Sequence, residues 1–272
     1  YEKIGARVAT TNDIFEIVKS LKDGHYSNAV VFANRYDGID LPDNACRILI
    51  LDSKPYFDSL LDRYEEDCRS ESDIMNIRIA HKVEQGLGRS VRGEKDYSII
   101  VLVGGDLIKF AKSPLTSKYF SSQTRKQIEI GIQVASFANE DSKNVKPRKV
   151  LVDLMSQALT RDEGWKEYYS EEMDDIETEA ERDGIYEILQ NEYDAEWQFM
   201  IGEYDRACKL AQSLCDKFHN DELEHGWYLQ QLARYKYRTS KVDSNKIQKS
   251  AFQNNLQLLK PREGISYKKI EF

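Results

Sequence analysis

A chain of 272 residues with 40% hydrophobic and 32% charged residues has material for about one large or two ordinary domains, under a heavily solvated surface. No run approaches the ~18 apolar residues of a membrane span and the N-terminus lacks a signal-peptide pattern, so a soluble, cytoplasmic protein with no membrane partner is expected. The net charge of −8 is uneven: residues 1–150 hold 23 Lys+Arg against 22 Asp+Glu, residues 151–200 hold 3 against 16, and residues 201–272 hold 13 against 9, so only the middle block should repel a nucleic-acid backbone.

In chain order, Ala6–Ala9 reads as a short strand. Thr10-Thr11-Asn12-Asp13 then caps a helix carrying Ile14, Ile17, Val18 and Leu21 at helical spacing. Gly24 ends that helix, and an apolar strand at 29–33 completes one strand–helix–strand crossover. Arg47–Leu51 is a third strand, and helices follow at about Phe57–Arg69 and Asp73–Gln85. Tyr97–Val103, bounded by Gly104-Gly105, has the near-continuous apolar character of a strand buried on both faces. A helix over about Thr124–Asn139 closes this part.

The charged, Pro-containing stretch 140–149 reads as a linker. Beyond it only helices are expected: Val150–Leu159, Glu163–Gln190, Tyr193–Ile201, Tyr204–Phe218, Asp221–Arg238 and Asn245–Leu259. The division predicted is 1–139, 140–149 and 150–272. Gly202-Glu203-Tyr204-Asp205-Arg206-Ala207 is similar to the G-x-Y-x-x-A core of a tetratricopeptide-type helical hairpin, although no 34-residue period is present. Gly202 as a tight turn between two amphipathic helices of a plain helical bundle is the preferred reading.

Two stretches carry candidate chemistry. In Gln85-Gly86-Leu87-Gly88-Arg89-Ser90-Val91-Arg92, two arginines three residues apart would share one helix face and reach two oxygens of a polyphosphate, for which the planar guanidinium is suited. A solvated basic helix end is the plain alternative. The second stretch, Ala33 to Pro42, lies between two apolar strands and is rich in Gly, Asp and Pro, as a binding loop at strand ends would be.

Together these stretches resemble motif V (Gly38-Ile39-Asp40-Leu41-Pro42) and motif VI (Gln85 to Arg92) of superfamily-2 helicases, the XPD-like and DinG-like DNA helicases in particular. The resemblance covers about residues 6–110. It departs from the pattern at Asp43, where the family often has Gly. It implies an α/β fold: a RecA-like parallel-sheet helicase C-terminal domain followed by an all-α helical domain. In such helicases two RecA-like domains sandwich one ATP. The resemblance therefore implies that Arg92 is an arginine finger on the γ-phosphate, that Arg89 assists it, and that Gln85 holds the motif to the nucleotide. Gly38, Asp40 and Gly88 are implied on the nucleotide side, Asp40 contacting the ribose or motif VI. Arg35 and Tyr36 are candidates for a strand's phosphate and base; an ion pair with Asp37 or Asp40 and a partly buried ring are the alternatives.

No G-x-x-x-x-G-K-[ST] loop and no acidic box for Mg²⁺ occurs. ATP and Mg²⁺ are thus expected to be shared with an upstream RecA-like domain that bears the Mg²⁺ ligands. The chain is expected to be the C-terminal part of a longer helicase that would not hydrolyse ATP alone. DNA is favoured over RNA, and a protein partner for the helical domain is expected as well. A different class of function is a non-catalytic RecA-like scaffold whose acidic helical domain docks a protein. Cys46, Cys68, Cys208 and Cys215 form no C-x-x-C and the four His do not cluster near them, which argues against zinc or iron–sulfur. The run Glu171–Asp175 reads as a solvated face, and His81 as a packed or hydrogen-bonded residue.

Overall fold

The computed structural model describes residues 3, 5–26, 28–36, 38–57, 59–90, 97–141, 147–176 and 183–259. Packing divides the chain into two compact units, residues 1–56 with 77–179 and residues 57–76 with 180–272.

The first unit is α/β. Strand β1 (Arg7–Ala9) feeds helix α1 (Ile14–Lys22), which returns to β2 (Val30–Phe32), parallel to β1 with Val8 opposite Val31. α1 buries Ile14 and Ile17, and its last turn holds Lys19 and Lys22 where the helix dipole favours cations. The Thr10 hydroxyl and backbone N–H both donate to Asp13 just before the helix, holding that carboxyl below its ordinary range. β3 (Ile48–Asp52) pairs in parallel with β4 (Ile99–Val103), Ile50 opposite Val101. The strand and crossover expectations hold, but the described strands form two two-stranded sheets. β4 is correspondingly half-buried, with Val103 42% exposed, where burial on both faces was expected; a two-stranded pair leaves much of each strand uncovered.

Helix α3 (Asp73–Leu87) begins in the second unit and ends in the first. After β4 come α4 (Gly105–Lys112), α5 (Pro114–Ser117), α6 (Ser122–Asp141), α7 (Pro147–Thr160) and α8 (Glu163–Asp174). α4 falls where Gly104-Gly105 had marked only a strand end. The Phe110 and Phe120 rings meet edge to face at 5.6 Å. The composition break at 140–149 lies inside this unit: Gln127 of α6 donates to the Tyr169 hydroxyl of α8 at 2.9 Å, and Lys126 pairs with Glu172 at 2.7 Å. Residues 142–146, the centre of the expected linker, lie outside the described residues.

The second unit is all helical: α2 (Leu60–Cys68), α9 (Asp183–Met200), α10 (Tyr204–Lys217), α11 (Glu222–Lys236), α12 (Lys241–Asn254) and a 3₁₀ turn at Leu256–Leu259. Gly202, at φ +87°, makes the turn between α9 and α10. The core is built from Ala207, Ala211, Leu214, Cys215, Tyr228, Leu232 and Ala251, joined by Cys68 and Ile74 from the distant 57–76 segment. α11 and α12 approach so closely at Gly226 that a Cβ there would lie 2.4 Å from the Cβ of Asn255. Asn255 is fully buried and donates to the carbonyls of Cys68 at 2.8 Å and Leu223 at 3.0 Å.

Arg69 is the central polar residue of this unit, only 1% exposed. Its Nε donates to Glu224 Oε1 at 2.8 Å and its Nη2 to Glu224 Oε2 at 2.5 Å, a two-pronged pair. Nη1 donates to Glu65 at 3.0 Å and Glu192 at 3.2 Å, and Nη2 also donates to the Tyr228 hydroxyl. Burial pushes the Glu224 carboxyl up, against the downward pull of Arg69. One guanidinium thus ties α2 to α9 and α11.

Candidate functional site

Helix α3 delivers the Gln85–Arg92 stretch. Ile77, Ile79, Ala80 and Val83 are buried along it, and Glu84 accepts from the backbone N–H (2.7 Å) and hydroxyl (2.8 Å) of Ser121, which fixes its last turn. Gln85 is exposed on that turn. Gly86 is buried: a Cβ there would lie 2.6 Å from Cδ1 of Tyr36, so the absent side chain is what lets the loop's ring sit on the helix. Gly88 closes the helix, its N–H donating to the Glu84 carbonyl at 2.9 Å.

Arg89 is turned onto the other stretch. Its Nε donates to the Tyr36 carbonyl at 2.8 Å and its Nη1 to the Ile39 carbonyl at 2.9 Å, with the Asp40 carboxylate 3.6 Å away. Its own carbonyl accepts from the Leu41 N–H at 3.1 Å. The side chain is only 14% exposed. Residues 33–42 and 85–90 are therefore one hydrogen-bonded body, clasped by a residue expected to face phosphate.

The loop folds by strand-like alternation. Ile39 and Leu41 turn inward, each 5% exposed, into a cluster with Ile14 and Ala45, while Asp40 between them turns out. Gly38 stands at φ +73° with open space where a Cβ would be, so its role is conformational and it leaves the backbone open to approach. Tyr36 is half-buried, its hydroxyl donating to the Ser53 carbonyl at 3.4 Å, and burial raises its phenol above the ordinary range. Arg35 is exposed. Asp37 and Arg92 lie outside the described residues.

Ser90 and Ser98, the one the last described residue before Arg92 and the other the second after it, meet each other. Ser90 is fully buried and its hydroxyl lies 2.6 Å from that of Ser98, at the foot of β4. At the other end of the strands, Ser53 (φ +70°) and Gly104 (φ +94°) come so close that a Cβ on Gly104 would meet Ser53 at 2.8 Å. Asp106 accepts from the N–H groups of Leu107 (2.8 Å) and Lys54 (3.1 Å) there; burial, which would raise its carboxyl, is outweighed by these donors and the net direction is down. Sequence reading took these glycines only as a strand boundary, although Gly-Gly after a buried strand was the available signal. His81 is exposed, and no group of His, Cys, Asp and Glu among the described residues could hold a metal ion.

Residues 5–125 match the family model described as the helicase C-terminal domain. The match spans less than half of the chain and contains both stretches. No curated protein and no solved structure matches. The α/β fold and the parallel strand pairing of the first part of the chain accord with this match to a helicase C-terminal domain, and a helical region follows. Among the described residues no helix is long and apolar enough to cross a membrane.

Proposed function

We propose that this domain supplies the closing half of an ATP site in a DNA-dependent motor of superfamily 2, XPD- or DinG-like, with the other half on an upstream RecA-like domain. The observation that supports it most is the Arg89 clasp: a guanidinium bridging the carbonyls of Tyr36 and Ile39 makes motifs V and VI move as one piece. In this reading Arg89 is a positioning residue and Arg92 is the finger. Ser90 and Ser98 hold the ends of the segment that bears Arg92. Gln85, exposed on the last turn of α3, and the open backbone at Gly38 are available to a nucleotide, with Asp40 and Gly88 beside them. The donor set suits a polyphosphate: guanidinium and carboxamide in place of metal-binding carboxylates, Mg²⁺ being left to the upstream domain. ATP bound there would supply the phosphoryl group whose transfer an arginine finger accelerates, by roughly 10³–10⁵-fold. Arg35, an exposed cation beside motif V, is in this reading the contact to a strand's phosphate, and DNA is preferred to RNA on family likeness alone.

The test is ATP hydrolysis, with and without single-stranded DNA, by a polypeptide in which an upstream RecA-like domain precedes this chain. Arg92→Ala should lose ~10³-fold or more in kcat. Arg89→Lys cannot bridge two carbonyls with one point charge and should weaken the DNA stimulation with a smaller loss in kcat. An Arg92→Ala enzyme as fast as its parent would rule the motor out and leave the non-catalytic scaffold.

A further inference from the structure

Helix α9 carries an apolar stripe that its own unit leaves uncovered. Tyr186, Leu189, Tyr193, Trp197 and Met200 recur at spacings of three and four, which places them on one face. They are 70%, 39%, 63%, 49% and 71% exposed. The opposite face supplies the core contacts, through Ile188 and Ala195, with Phe199 half-buried against Tyr235. The helix is therefore apolar on two opposite faces, and on a monomer's surface the exposed one marks a face built to be covered. Large aromatics and Met are the residues enriched at the centres of protein interfaces.

The charges beside the stripe say what covers it. α9 contains five carboxylates and no Lys or Arg. At 100° per residue, Glu192 and Glu196 flank the stripe on one side and Glu187 and Asp194 on the other. Lys217 answers Glu187 at 2.9 Å and Arg234 answers Glu196, but Arg69 is shared among Glu65, Glu192 and Glu224, and among the described residues Asp194 accepts from the Gln190 carboxamide at 2.9 Å and pairs with no cation. The flanks keep a net negative charge. A second copy laid on the same face would oppose carboxylate to carboxylate, and nucleic acid or an anionic membrane would be repelled. Beside the stripe, Glu192 and Glu196 also line a cavity of about 330 Å³ walled by Trp227, Tyr228 and Tyr235, but Arg69 and Arg234 line it too and already answer those two carboxylates.

We infer that α9 docks a basic amphipathic helix of a partner protein, its apolar face on the Tyr186–Met200 stripe and its Lys or Arg residues against the flanking carboxylates. The stripe spans ~21 Å, which fits about four turns of the partner. This does not depend on the motor reading.

The test uses the 272-residue chain and a fluorescent 18-residue Leu/Lys peptide with Leu at i, i+3, i+4 and i+7. Controls are a scrambled peptide of the same composition and a Leu/Glu counterpart. The Leu/Lys helix should bind at least ~10-fold more tightly than the scramble, and more weakly as salt rises, while the Leu/Glu peptide should not bind. Tyr193→Ser with Trp197→Ser should weaken binding by ~10-fold or more with the thermal melt unchanged, since both rings stand in solvent. Phe15→Ser, an exposed ring in the first unit, should leave binding as it was. Asp194→Lys should weaken the Leu/Lys peptide and admit the Leu/Glu one. Equal binding of the scramble, full affinity in the double variant, or a dimer of the chain that the double variant dissolves would each overturn the inference.

Discussion

The two units solve the problem of holding distant segments together by different means. In the first, the join between the 33–42 loop and the end of α3 is made largely with backbone: carbonyls of Tyr36 and Ile39 receive Arg89, the Leu41 N–H returns a bond, and a missing side chain at Gly86 makes room for a ring. In the second, the join is a buried guanidinium surrounded by three carboxylates and a phenol from three separate helices. Backbone carbonyls stay in place whatever residue bears them, so the first arrangement tolerates variation around a few fixed glycines and one arginine. The second depends on the identity of every partner, because each charge left alone in the interior carries its full desolvation cost.

The largest effect that would separate these two modes is at Arg69. Arg69→Ala leaves Glu224 and Glu192 without their cation and should cost the second unit ~3–5 kcal/mol. Hydrogen exchange read by mass spectrometry should show α9–α12 losing protection while β3 and β4 keep theirs. Equal loss in both would mean that the units unfold as one. Combining Arg69→Met with Glu224→Leu should restore part of the stability, since that neutral pair needs no counter-charge while Glu192 still lacks its cation.

A smaller effect distinguishes space from conformation among the glycines of the first unit. Gly86→Ala pushes on the Tyr36 ring and should cost ~1–3 kcal/mol, relieved when Tyr36 is also changed to Ser. Gly38→Ala meets no neighbour and should cost ~1–2 kcal/mol through its left-handed backbone alone, with no relief from Tyr36→Ser. Urea titration of the four variants gives the comparison, and equal relief at both positions would contradict it.

The smallest effect is alkaline. Burial pushes the Cys68 thiol up to about 11 and the Cys215 thiol up to about 12, from an ordinary 9.0, and both lie in the second unit. A thiol whose folded value is raised contributes stability that is whole below its unfolded value and is lost as pH climbs toward the folded one. The second unit should therefore weaken from about pH 9 upward, by about 1 kcal/mol per thiol at pH 10. Thiol labelling at pH 8 should reach half-buried Cys46 and Cys208 well before Cys68 and Cys215. Uniform labelling of all four would show the core to be open.

Much of this was legible in the chain itself. Short apolar stretches located the four described strands, and helical spacing located α1, α3, α6 and the helices α10–α12, because both signals are local. The spacing predicts one helix over Glu163–Gln190 and another from Tyr193, whereas the structure has α8 and α9 there; nothing in the acidic stretch between them marks an end. The two motif stretches stood out by residue type and order. That Tyr36 would be packed on Gly86 was not visible, nor that Arg89 would spend its fork on carbonyls, since both depend on where a loop 50 residues away comes to rest.

The sequence by itself determined most of the elements and the α/β-then-helical order, and it marked a Gly-Asp-Pro loop and a two-arginine stretch, all properties of short segments with their own periodicity and composition. Only the tertiary structure decided that residues 57–76 pack with the C-terminal helices, that Arg69 finds Glu224 155 positions away, and that the apolar face of α9 stays exposed. Charged partners that meet across such separations leave no spacing to read, and whether an apolar stripe is core or surface is settled by what the rest of the chain lays against it.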